Sequence, residues 1–346
     1  MTPGYLTYVA FALICLLLLL LPFVPAYQEW RRPTDLDALP VSANYTSDID
    51  HFARRLRADV AAKSGTGKST GYEEFSLVTE PVEAMNWGNA KKRLIARTDI
   101  ITRSSIRSVQ QLYVEGNFVA GTECAFSSLY ATGDIMLGAY SEVRNWIHAD
   151  GSLAVGQGSA MLRRVSAGSY IRLGSETWFE RVHAPSVFFG APGIDSETET
   201  VLAPKPASYA DLPGAVQQTP LLFLVRGDCA LAAESGYRGS LVVTGFLSIG
   251  AGTVVDGDIK ARGGISIGRH ATVHGAVTCE KRIYFFSKAR AVGPVISETD
   301  ILIGADCVIG LPELQTTISA ANIIVEDGVT VHGAIWAHDI GMVKPA

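Results

Sequence analysis

Apolar–glycine pairs recur every 18 residues in the C-terminal half of this chain: Ile249-Gly250, Ile267-Gly268, then Phe285-Phe286, then Ile303-Gly304. The same beat runs earlier through Leu137-Gly138, Val155-Gly156 and Leu173-Gly174. A spacing this even means that one structural unit is stacked repeatedly. Each unit is built from sixes. Ile249, Val255 and Ala261 lead into Ile267, Val273 and Cys279, then Phe285, Ala291 and Ser297, a run of large, medium and small. A second apolar column follows Leu247, Ile259, Ile265, Val277, Ile283, Val295 and Ile301. Locally the apolar residues alternate, as in Gly264-Ile265-Ser266-Ile267-Gly268, which is the period of a strand. Three short strands per turn make a triangular parallel β-helix, so the expected fold is an all-β solenoid with about 18 residues per coil.

A solenoid resolves the problem of length. At 346 residues one ordinary core would be oversized, but a stack of coils grows lengthwise and each coil contacts only its neighbours. The 34 glycines fit the corners, where a bend often takes positive φ. A net charge of −5 argues against nucleic acid as a partner, because phosphate binding needs a basic face. The cysteines are Cys15, Cys124, Cys229, Cys279 and Cys307, with no C-x-x-C pair and an odd count. They read as free, mostly buried thiols in a reducing compartment.

Residues 5–23 are almost unbroken apolar sequence without charge. About 20 such residues span a bilayer as a helix. Val24-Pro25-Ala26 resembles a signal-peptide cleavage site, but no basic stretch precedes the run, which favours an uncleaved anchor over residues 1–27. Arg31 and Arg32 follow the span and none precedes it, so the bulk of the chain is expected in the cytoplasm, on a bacterial inner membrane, with the periplasm as the alternative. Residues 28–74 read as a linker with one short helix. Ser47 and Asp50 suggest its cap, and Ile49, Phe52, Leu56 and Val60 form its stripe. Arg54, Arg55 and Arg57 lie elsewhere on it, so this helix either faces anionic lipid through its arginines or packs its stripe on the solenoid or another subunit.

Residues 75–190 form a first β-helix segment, irregular up to about residue 117 and regular from Ile135. Residues 191–220 break the pattern with Pro192, Pro204, Pro206, Pro213 and Pro220, and are expected to leave the stack as a loop. Residues 221–346 resume as a second segment continuing the same stack, with a small insertion at 311–315.

Few motifs carry chemistry. Ala62-Lys-Ser-Gly-Thr-Gly-Lys68-Ser69 is a relaxed phosphate-loop pattern without the strand before and the helix after that phosphate binding requires. Arg226-Gly227-Asp228 and the sequon at Asn44 are short enough to arise by chance. Hexapeptide-repeat acyltransferases share an 18-residue coil and commonly use a His base. Here His274 and His332 sit in one equivalent Val-His-Gly-Ala slot on different coils, which points to a structural position. A polysaccharide-cleaving β-helix needs stacked carboxylates. Asp256 and Asp258 are followed one coil on by His274 and Ala276, so no acidic ladder forms. The residues therefore point to no catalytic, cofactor or metal site.

The unit Val255-Asp-Gly-Asp-Ile-Lys-Ala-Arg-Gly-Gly-Ile-Ser-Ile-Gly268-Arg-His-Ala-Thr-Val-His-Gly-Ala-Val277 resembles the repeat of bactofilins, in which V-x-G-x-I-x-A alternates with I-x-I-G-x-x-A-x-V. Residues 247–342 carry the resemblance well and 114–190 moderately. It implies a right-handed β-helix of a polymer-forming bacterial cytoskeletal protein, here membrane-anchored. The expected function is a non-catalytic scaffold that self-associates as a homo-oligomer or polymer and organises cell-envelope or polysaccharide-synthesis proteins. The last coil, with Val331, Ile335, Trp336 and Ile340, is the expected self-association end, since few residues follow to cap it.

Overall fold

The computed structural model describes residues 3–24, 27, 31, 49–64, 75–79, 81–191 and 203–345. The chain forms two compact units, Met1–Ser47 and Asp48–Ala346. Arg32, the 34–43 linker, Ser47, the 65–69 part of the phosphate-loop-like motif and most of the 191–202 Pro-containing stretch lie outside the described residues.

In the first unit, helix α1 covers Pro3–Leu20 and a 3-10 turn follows at Leu21–Phe23. Pro22 stops the α-helix, because its ring denies the backbone donor and clashes with the preceding turn. Among the described residues no helix is long and apolar enough to cross a membrane. The 18 residues of α1 rise about 27 Å, against a hydrocarbon core of about 30 Å.

The second unit is a parallel β-solenoid; its turns number about 14, with about 18 residues each. The inward columns fall where the repeat places them. Ile249, Ile267, Phe285 and Ile303 stack coil on coil, as do Val255 and Val273, and Ala261, Cys279 and Ser297. All are buried. Three walls result, called A, B and C in chain order. In the coil 259–276, wall A is Ile259–Ala261, wall B is Gly264–Ile267 and wall C is Thr272–Val273. The segment before residue 117 is more regular than its sequence suggests: Leu94 pairs with Leu112, and Ile100 with Phe118, 18 residues on.

The corner glycines meet the expectation in part: Gly158 and Gly252 have positive φ at the B–C corner, but others work differently. Gly138 and Gly268 do not have positive φ; a Cβ on either would come within 2.7 Å of the neighbouring coil's backbone. Close approach, rather than handedness, requires glycine there. The left-handed residue lies two places later at the same B–C corner and is Tyr140, His270, Lys288 or Asp306 on different coils, at φ of 57–60°.

The largest departure is at the end of the stack. The chain builds one arm over residues 75–190 and a second over 203–345, and the last strands of the two arms pair antiparallel. Trp178–Phe189 lies along Thr330–Lys344, with Val182 opposite Ile335, Ala184 opposite Gly333 and Val187 opposite Val331. Glu176 N–H donates to Val343 O at 2.8 Å, and Val343 N–H to Thr177 O at 2.9 Å. The second segment therefore continues the stack with its chain direction reversed, and the two C-terminal coils close each other's cores. This corrects the expected self-association end. Val331 and Ile335 are 0% and 1% exposed in this joint, and Trp336 lies under Arg181, 4.1 Å from guanidinium carbon to ring centre. Ile340 remains exposed at the joint's edge. A bare terminal coil would leave backbone groups unpaired, and the first arm supplies their partners.

The two far ends are covered as well. On the first arm Trp87 closes the core, with Val78, Val82, Met85 and Ala90 packed against it. On the second, residues 203–220 form a cap instead of a free loop. Lys205–Pro206 adds to wall C, Ala215–Thr219 pairs antiparallel with Leu222–Val225, and buried Tyr209 stacks on Tyr237 at 4.9 Å.

Candidate functional site

Outward positions on a strand face water and are ordinarily polar. Wall A of the first arm breaks that rule at one outward position, which carries Tyr113, Tyr130, His148, Ser166 and His183 on successive coils. The rings stack: Tyr113 on Tyr130 at 4.9 Å and Tyr130 on His148 at 5.4 Å. Helix α2, His51–Ser64, covers them. Ala53, Leu56 and Val60 pack with Phe75, Ile95, Tyr113, Tyr130 and Trp146 in a small cluster of their own outside the solenoid core. The helix therefore takes the packing alternative, with its buried stripe turned by one residue: Ala53 is inside and Phe52 lies at the edge, 44% exposed.

At the centre of this cover is a charged hydrogen-bond network. Asp150 accepts from the Tyr130 hydroxyl at 2.8 Å, from Arg57 at 3.0 Å and from His148 Nε2 at 3.1 Å. His148 Nδ1 faces the Ser166 hydroxyl at 2.7 Å. Burial lowers the His148 pKa and holds the ring neutral. With Nε2–H donating to Asp150, Nδ1 accepts from Ser166, so one tautomer satisfies both partners. Burial, reinforced by the bond to Asp150, pushes the Tyr130 pKa well above the usual phenol range.

Ser166, His148 and Asp150 thus form the connected series a nucleophilic serine uses. A nucleophile also has to meet its substrate, and Ser166 is 3% exposed. Its hydroxyl bonds to the ring within the sheet's outer layer. The arrangement binds α2 to wall A: Arg57 delivers a charge from the helix to Asp150, and Asp59 pairs with Arg93 at 3.4 Å further along. We read it as a clasp.

The other expected residues separate. Arg57 belongs to the clasp, Arg54 pairs with Asp50, just before α2, at 3.0 Å, and Arg55 is exposed. The lipid-facing expectation is thus corrected for Arg57, whose guanidinium is committed to Asp150. Arg31 lies 5.8 Å from the Tyr27 ring. His274 and His332 do occupy one repeated slot, on the walls' outer side, with different surroundings. His274 is exposed and bonds to Asp256; His332 is covered by the joint, with Nδ1 3.0 Å from the Ser186 hydroxyl. Asp258 accepts the Ala276 N–H at 2.8 Å, one rung of a corner ladder. Cys124, Cys229, Cys279 and Cys307 are buried free thiols, and Cys307 is pushed up to about 12 by burial. Among the described residues no group of three or more His, Cys, Asp or Glu is placed to hold a metal. His148, Asp150 and Ser166 escaped the sequence reading. Their signal was the outward aromatic run at Tyr113 and Tyr130, which requires a cover.

No protein-family model, no curated protein and no solved structure matches the chain.

Proposed function

We propose that the protein is a non-catalytic scaffold: a solenoid rod of fixed length, tethered to a bacterial inner membrane through its N-terminal apolar segment. The observation that carries this reading is the joint between the two arms together with the caps at both far ends. A β-helix polymerises by adding coils to an open end, and here each terminal coil already has a partner within the chain. The resemblance to bactofilins supports the repeat type and brings with it a right-handed winding. The closed ends favour a discrete particle over the end-to-end polymer that the resemblance implies. For the tether, α1, the Leu21–Phe23 turn and Val24 supply a continuous apolar segment flanked by Arg31, which supports a cytoplasmic rod. Envelope or polysaccharide-synthesis proteins are the partners such a rod would hold, on its walls.

Electron microscopy of the detergent-purified full chain tests this. Discrete rods of roughly 65 Å, the length of about 14 coils at about 4.8 Å each, are expected. Filaments growing from the rod's ends at any protein concentration would overturn the reading.

A further inference from the structure

One edge of the rod, beside the joint, combines exposed arginines with exposed aromatic and aliphatic side chains. Arg164 and Arg181 are neighbours on wall A. Each lies over an aromatic ring: Arg164 over Phe52 at 4.8 Å and Arg181 over Trp336 at 4.1 Å. The adjoining corner carries Leu162 and Arg163, both exposed, with Arg144 paired to Glu142 at 2.8 Å, and across the joint Ile340. Trp178, just before that corner, is 44% exposed, and Leu162 and Ile340 are comparably open. Arg55 of α2, one turn on from Phe52, adds to the same side, since Phe52 fixes that end of the helix against Arg164. Two stacked guanidiniums are mutually repulsive. The buried Arg181 Nε makes no hydrogen bond, and its charge is met by an ion pair with Glu180 at 3.6 Å. The chain as a whole is acidic, at −5, so this basic edge stands against its background.

Arginine beside tryptophan and aliphatic side chains is the combination that suits a bilayer's surface: cations meet anionic phosphates and rings lie at headgroup depth. We propose that this joint edge, from Arg55 and Arg163 to Trp178 and Trp336, rests on a bilayer surface rich in anionic lipid. The inference rests on the tether proposed above and adds the face of the rod that meets the membrane. With the edge down, the corner between walls C and A of the first arm meets the bilayer and wall B faces away from it.

The test uses the full chain carrying Trp30→Phe, reconstituted into vesicles of phosphatidylcholine alone or mixed with phosphatidylglycerol, with lipids brominated on the acyl chain as quenchers. The expected result is stronger tryptophan quenching in the anionic vesicles. That increment should fall by at least half in the double variant Trp178→Phe, Trp336→Phe, and in Arg55→Glu, Arg163→Glu. Circular dichroism of each variant confirms folding. Equal quenching in both lipids, or an increment untouched by these variants, overturns the proposal. Flotation separates it from the tether: a chain that fails to float with pure phosphatidylcholine refutes the tether, and lipid contact by the edge is then read from Arg163-dependent flotation with anionic vesicles. An edge that is inert in that assay is refuted too.

Discussion

The two arms use the same coil and finish their outer surfaces differently. At the corner between walls C and A, the second arm has Gly257, Gly275 and Gly293. A Cβ at any of these would fall within 2.5 Å of the coil below, so the bend is tight and strands run two to four residues. The first arm carries Arg144-Asn145 and Leu162-Arg163 there, and its strands pass round the corner as single eight-residue elements with a register shift. A wide corner makes wall A broad enough to seat a helix. The 14 residues of α2 rise about 21 Å, close to four coil spacings. The second arm's wall A instead presents Val242, Lys260 and Thr278 to the outside, without an aromatic run and, among the described residues, without a cover. One missing glycine per coil thus separates a bare wall from one that holds a strap.

The comparison is broken most severely at the joint, where the arms depend on each other. Ile335→Asp would place a carboxylate against Val182 in a water-free core, at a cost of roughly 4 kcal/mol or more. Thermal unfolding should then lose its single transition as the arms unfold separately. A variant that melts like the parent would mean that the arms do not meet there.

A smaller effect, confined to the first arm, comes from the strap. Leu56→Ala removes a side chain that is 3% exposed from the α2 cluster and should cost about 2–5 kcal/mol of docking. Limited proteolysis should cut first within residues 49–74 while the second arm stays protected. Equal protection of α2 in parent and variant would show that Leu56 does not hold it.

In the second arm, Cys279 stacks between Ala261 and Ser297, a column with little room. Cys279→Phe should overpack it by about 1–3 kcal/mol, and Cys279→Ala should be mild. Denaturant midpoints that fail to separate the two variants would displace the inward register.

The smallest effect is on pH. Burial holds the folded-state pKa of His148 below its unfolded value of 6.5. Its contribution to α2 docking is therefore complete above about pH 6.5 and is lost as pH falls through the lower folded value. Hydrogen exchange of residues 51–62 should quicken as the solution is acidified, and His148→Gln should flatten that dependence. An identical pH profile in the variant would remove His148 from the clasp's control.

The repeat, the inward columns and the buried thiols were legible in the sequence, because each coil meets its neighbour at a fixed spacing of about 18 residues and each strand alternates in and out. Local rules suffice for contacts that recur at one sequence distance. Helix α2 was half legible: Leu56 and Val60 declared an apolar stripe, but whether wall or lipid received it depended on the outward rings of Tyr113 and Tyr130. The clasp was hidden, since Arg57, His148 and Ser166 meet only when α2 folds back over 93 residues to Asp150. The joint had no sequence signal at all. Val182 and Ile335 obey the same inward pattern as every other core residue, and nothing in that pattern says that two chain ends will face each other. An open coil needs backbone partners, and which surface supplies them is set by the antiparallel meeting of Trp178–Phe189 with Thr330–Lys344. That choice belongs to tertiary structure: edge hydrogen bonds carry no residue code, so only the path of the chain decided that this solenoid closes on itself.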